Sequence, residues 1–150
     1  KLISQITIFT IAHSITLIFV SLSLMRINPQ IVEPIIALSI VYIGLENIFK
    51  KYTKEYLRYV VILFFGLLHG LGFALVLSDI GYRSTDLFIN LVSFNIGIEV
   101  AQISIVLVLY LLITLNFANN KNYRIFFQVP SSILISSVGL YWFFERINFI

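Results

Sequence analysis

Apolar residues along this chain come in long runs, with polar positions gathered between them. Five runs stand out: Leu2 to Leu24, Ile31 to Phe49, Tyr59 to Leu77, Leu87 to Leu115 and Val129 to Phe144. Each is near the roughly 20 residues that a helix needs to cross the hydrocarbon layer. None carries a polar stripe wide enough to face water. Breaks fall at Arg26, Asn28 and Pro29, then Lys50 to Arg58, Asp79 to Asp86, and Asn116 to Arg124; these are turn formers and charges of the kind that end apolar helices. The pattern predicts an all-α, polytopic integral membrane helix bundle of about five transmembrane helices, forming one domain over residues 1–150.

Composition sharpens this picture. Hydrophobic residues make up 59% of the chain and charged residues 11%, against roughly 25% charged in soluble domains, so the lipid bilayer is the expected solvent and partner. The formal charge of +3 comes from basic residues in short connecting segments, which is a topology signal and excludes a nucleic-acid footprint. Lys1, Lys50, Lys51, Lys54, Arg58, Lys121 and Arg124 fall on one side, against Arg26, Arg83 and Arg146 on the other. That imbalance predicts a multi-pass membrane protein with the N-terminus of this chain in the cytoplasm. The first run is longer than a signal-peptide core and holds a histidine, so it reads as a retained helix. With no cysteine and a single methionine, Met25, disulfides, iron–sulfur clusters and thiolate metal sites are excluded.

Ionisable groups at mid-membrane depth are the informative feature. His13, His69 and Glu99 lie near the middle of the first, third and fourth runs, where such groups are costly unless paired, neutral or hydrated, and by default mark an ion or proton path. Asn95, Glu99 and Gln102 follow an i, i+4, i+7 spacing and form one polar stripe on the fourth helix. Beside His69, Gly66 and Gly70 make a GxxxG step that allows a close helix approach. Thr10 and Ser14 flank His13 and could satisfy a neutral imidazole. Glu33 and the pair Glu46 and Asn47 stand at opposite ends of the second helix, about 20 Å apart, too far to share an ion but placed to mark two mouths of a path.

Plainer readings run alongside. Asn95 and Gln102 can simply bond to neighbouring helices, the glycines can be a packing notch, Glu33 before Pro34 suits a helix N-terminus, and Glu46 can pair with Lys50 at i+4. Two imidazoles, a carboxylate and amide oxygens nonetheless make a sulfur-free donor set that suits Ni²⁺, Co²⁺ or Zn²⁺ better than Cu⁺, Mg²⁺ or Ca²⁺.

Four ordered motifs resemble the HupE/UreJ family of bacterial membrane proteins: FTIAHSITL at Phe9 to Leu17, VEPIIALSI at Val32 to Ile40, FGLLHGLGFA at Phe65 to Ala74, and FNIGIEVAQ at Phe94 to Gln102. The likeness runs over roughly two-thirds of the chain, from about Phe9 to Gln102. It implies a small permease for nickel or a similar divalent ion. Carried over by position, the motif residues are His13, Ser14, Glu33, Glu46, Asn47, His69, Asn95, Glu99 and Gln102. Members usually have a further helix upstream with its own histidines, so the resemblance implies that this chain starts after that helix.

The sequence thus points to a divalent-metal permease, with His13, His69, Glu99, Asn95 and Gln102 as the metal site and Ser14, Glu33, Glu46 and Asn47 along the path. Glu99 could also take up a proton as the ion leaves. An intramembrane metal-dependent hydrolase ranks lower, because neither a nucleophile constellation nor zincin spacing accompanies the histidines. A third reading is a structural or assembly subunit, as a homo-oligomer or in a larger membrane complex, docking through the GxxxG face and the Ser132 and Ser136 pair.

Overall fold

A computed structural model describes residues 2–49, 54–79, 87–117 and 123–148 of the chain. Its helices are α1 (Leu2–Ser21), α2 (Pro29–Phe49), α3 (Glu55–Asp79), α4 (Leu87–Phe117) and α5 (Val129–Asn148), the last preceded by a π-helical turn, Arg124–Gln128. The described residues contain no strand, and all five helices are long and apolar enough to cross a membrane. This is the architecture of a multi-pass membrane protein. Residue 1 and segments 50–53, 80–86, 118–122 and 149–150 lie outside the described residues, and with them Lys1, Lys50, Lys51, Arg83 and Lys121 of the charge count.

The helix ends differ from the apolar runs, for identifiable reasons. α1 stops at Ser21, short of Leu24, because Ser23 turns left-handed at φ 59°. The Leu24 N–H then bonds the Phe19 carbonyl at 3.0 Å and the Ser23 N–H bonds the Val20 carbonyl at 2.8 Å, the paired closure of a Schellman motif. α2 begins at Pro29, ahead of Ile31. The Asn28 side-chain oxygen accepts the Gln30 N–H at 3.1 Å, so Asn28 is an N-cap and Pro29 occupies the first helical position, where a missing N–H costs nothing. What reads as a stop signal in the sequence is a start signal in the fold.

α3 begins at Glu55, ahead of Tyr59: Glu, Leu and Arg are good helix formers, and an acid in the first turn complements the macrodipole. α3 and α4 each run two residues past their apolar runs, to Asp79 and Phe117, and α5 continues past Phe144 to Asn148.

Packing places the helices in the spatial order α4, α1, α3, α2, α5. α1 and α3 run parallel, with Ser4 Oγ and Tyr59 Oη 3.1 Å apart at one end. Their crossing is set by the GxxxG step. A Cβ on Gly66 would stand 2.6 Å from the Phe9 carbonyl oxygen and 2.8 Å from the Ala12 Cβ, and one on Gly70 would overlap the His13 carbonyl and the Thr16 hydroxyl. Thr16 Oγ1 seals the contact by donating to the Leu67 carbonyl at 2.8 Å.

α2 and α5 form a second tight seam. A Cβ on Gly44 would overlap the Ser136 hydroxyl and stand 2.9 Å from the Ser132 carbonyl, and one on Gly139 would stand 2.9 Å from Val41. Lipid tails give helices no hydrophobic reason to associate, so close backbone approach of this kind is what holds such a bundle. The GxxxG face and the Ser132 and Ser136 pair, expected as docking surfaces for partners, are therefore used inside the chain: each lies against a neighbouring helix of the same bundle.

Candidate functional site

The α1–α3 crossing carries both histidines. His13 is 1% exposed, and neither of its ring nitrogens has a hydrogen-bond partner among the described residues. Two phenyl rings confine it: Phe9 stacks on it with centroids 6.2 Å apart, and Phe73 meets it edge-on at 5.3 Å. His69 stands edge-on to the other side of this cluster, 5.3 Å from the same Phe9 ring. Its Nδ1–H donates to the Phe65 carbonyl at 2.8 Å. A carbonyl can only accept, so the bond fixes the tautomer and leaves the Nε2 lone pair for a ligand.

A polar wall joins α1 to the antiparallel α4. Ser14 Oγ donates to Asn95 Oδ1 at 2.6 Å, Asn95 Nδ2 donates to the Leu91 carbonyl at 2.8 Å, and Thr10 Oγ1 donates to Gln102 Oε1 at 3.2 Å. Glu99 falls between Asn95 and Gln102, so it is level with the α1 turn that holds His13. Depth is shared, as the sequence predicts, but direction is not. Glu99 lines a groove of about 450 Å³ between α1 and α4, together with Thr10, Ser14 and Asn95, whereas His13 and His69 meet Phe9 at the α1–α3 crossing. Among the described residues, no three His, Asp or Glu side chains are grouped to hold one metal ion. The reason is the angular breadth of α1, which presents His13 to α3 and Thr10 and Ser14 to α4.

The α2 acids stand beyond α3 in the packing order. Glu33 forms an ion pair with Arg146 of α5 at 2.9 Å, and both line a pocket of about 200 Å³ with Trp142. Glu46 and Asn47 are half-buried near the other end of α2. There, Arg124 donates to the Ile48 carbonyl at 3.1 Å, placing a cation at the C-terminus of α2 where the macrodipole favours one.

Sequence reasoning missed the residues that shape the histidine cluster: Phe9, Phe73, Thr16 and Phe65. A signal for two of them exists. Phe9 lies four residues before His13 and Phe65 four residues before His69, the spacing at which neighbouring turns of a helix meet, whereas Phe73 reaches His13 from the other helix.

A buried imidazole with neither nitrogen bonded is expensive, since each unsatisfied buried polar group costs about 1–3 kcal/mol. Such a group is suited to exchanging partners with a ligand that supplies what the protein withholds.

A family model described as HupE / UreJ protein matches residues 1–146. The match extends well past the Phe9 to Gln102 motifs and takes in α5 as far as Arg146. No curated protein and no solved structure matches the chain.

Proposed function

Because the chain belongs to the HupE/UreJ family, we propose that it is a membrane permease for a divalent transition-metal ion of the nickel type, with Ni²⁺, Co²⁺ and Zn²⁺ as the substrate class. The observation that carries this reading is His13, buried with both ring nitrogens unbonded beside a His69 whose Nδ1–H is already committed to Phe65. Imidazole is a ligand matched to these ions, and a pair of neutral imidazoles offers few enough ligands for the ion to leave again, as a transport site requires.

In this reading the ion is held by His13 and His69. The wall of Ser14, Asn95, Thr10 and Gln102, with Glu99 at the same level, is an adjoining polar station, and Glu99 takes up a proton as the ion moves on. Glu33, restrained by Arg146, stands at the outer mouth, and Glu46 with Asn47 at the inner one. The protein sits in the bacterial inner membrane with the N-terminus of this chain in the cytoplasm, as the lysine and arginine distribution favours.

Proteoliposomes loaded with a metal-sensitive dye test this. The paired change His13→Gln and His69→Gln is expected to reduce Ni²⁺ or Co²⁺ entry more than about tenfold, with Glu99→Gln giving a smaller loss. Entry unchanged by the paired histidine substitution would remove the mechanism.

A further inference from the structure

We infer that the Phe9 side chain gates the histidine pair, admitting or refusing an ion from the groove on its far side. This rests on the permease reading for the identity of the ion, but not for the existence of the gate.

Phe9 is the ring that touches both imidazoles, at 6.2 Å from His13 and 5.3 Å from His69; Phe73 touches His13 at 5.3 Å. Two nitrogens bound to one ion lie no more than about 4.2 Å apart, twice a metal–nitrogen distance of roughly 2.1 Å. A phenyl ring packed on both imidazoles obstructs that arrangement.

The same ring forms a wall of a groove of about 370 Å³, lined also by Gln5, Ile6, Ile62 and Gln102. Phe9 therefore stands between a space with two amide side chains and the buried nitrogens of His13. The groove also has room to receive the ring, since a cavity of about 150 Å³ accepts a benzene molecule.

The backbone cannot supply the motion. The Phe9 carbonyl and Cα lie against Gly66, where even an added Cβ would stand within 2.6 Å, so α1 is fixed at this residue and the gate is a rotation of the side chain alone. Rotation into the groove would uncover both imidazoles at once, next to the amides of Gln5 and Gln102, whose oxygens suit a partly dehydrated cation.

Modification of His13 by diethyl pyrocarbonate, followed by mass spectrometry on the full chain in detergent, reads the gate without a metal. Phe9→Ala should accelerate His13 modification about tenfold or more, Phe9→Trp should slow it, and Phe73→Ala should change it far less. A residue that only supports the fold would shift both Phe9 variants in the same direction, and that result overturns the proposal, as does an unchanged rate in Phe9→Ala. Co²⁺ association followed by its visible absorption, on the same samples, should be faster in Phe9→Ala with the same final spectrum. If wild-type protein gives no histidine-dependent Co²⁺ spectrum, the permease reading fails, while the modification rates still decide the gate.

Discussion

Gly70 of α3 lies directly against the backbone carbonyl of His13 on α1, so closely that a single methyl group on its Cα would overlap it. The histidine cluster thus depends on the absence of a side chain on the neighbouring helix. Gly70→Ala and Gly66→Ala should each destabilise the protein by about 1–3 kcal/mol, the usual cost of overpacking. Gly97 of α4 has nothing within 4 Å of an added Cβ, so Gly97→Ala should be neutral or stabilising by up to about 1 kcal/mol through helix propensity. Thermal unfolding in detergent compares the three, and equal effects at Gly70 and Gly97 would contradict the packing described.

The α2–α5 seam makes a prediction of opposite sign for two facing residues. Ser136 Oγ is buried with no hydrogen-bond partner among the described residues, and it occupies the space a Gly44 Cβ would need. Removing the hydroxyl in Ser136→Ala should leave stability unchanged or raise it, since its desolvation is uncompensated. Gly44→Ala should lower stability and be partly rescued by Ser136→Gly, a coupling that a double-mutant cycle measures directly.

Ser14 and Asn95 should be coupled modestly. The 2.6 Å bond between them crosses from α1 to α4, but the Thr10 carbonyl lies at the same 2.6 Å from Ser14 Oγ, so on loss of Asn95 the single hydroxyl proton turns to that acceptor and stays satisfied. A cycle of Ser14→Ala and Asn95→Ala should give about 0.6 kcal/mol, and no more than about 1.7, the range for polar pairs between membrane helices.

Arg146→Gln should cost less than about 1 kcal/mol of stability, since both members of its 2.9 Å pair with Glu33 are substantially solvent-accessible and screened. If Glu33 serves as an outer mouth, the same substitution frees its carboxylate and should lower the metal concentration needed for half-maximal uptake. Dye-based uptake in proteoliposomes measures this, and an unchanged concentration dependence would detach Glu33 from the path.

The five spans and the common depth of His13, His69 and Glu99 are legible from sequence, because hydropathy and rise per residue are local properties. The GxxxG contact is legible for a related reason: the absence of a Cβ is visible in the residue name. What the sequence conceals is azimuth. Ser14 and His13 are neighbours in the chain, yet one faces Asn95 and the other meets Phe73, so the expected convergence of Glu99 on the two histidines depended on a helix rotation that spacing within α1 cannot specify. Helix ends failed in an instructive way as well. Asn28 and Pro29 read as a stop signal until the Gln30 N–H is seen to bond the Asn28 side chain, which makes them the start of α2.

The widened turn ahead of α5 has its own consequence. Val129 N–H reaches back five residues to the Arg124 carbonyl, so this stretch holds one residue more than regular winding requires. Wound as a regular α-helix, the same residues would turn Arg124 about 100° further around the axis, carrying its guanidinium off the Ile48 carbonyl. The widened winding acts as an angular shim that keeps this cation clasped to the end of its neighbour.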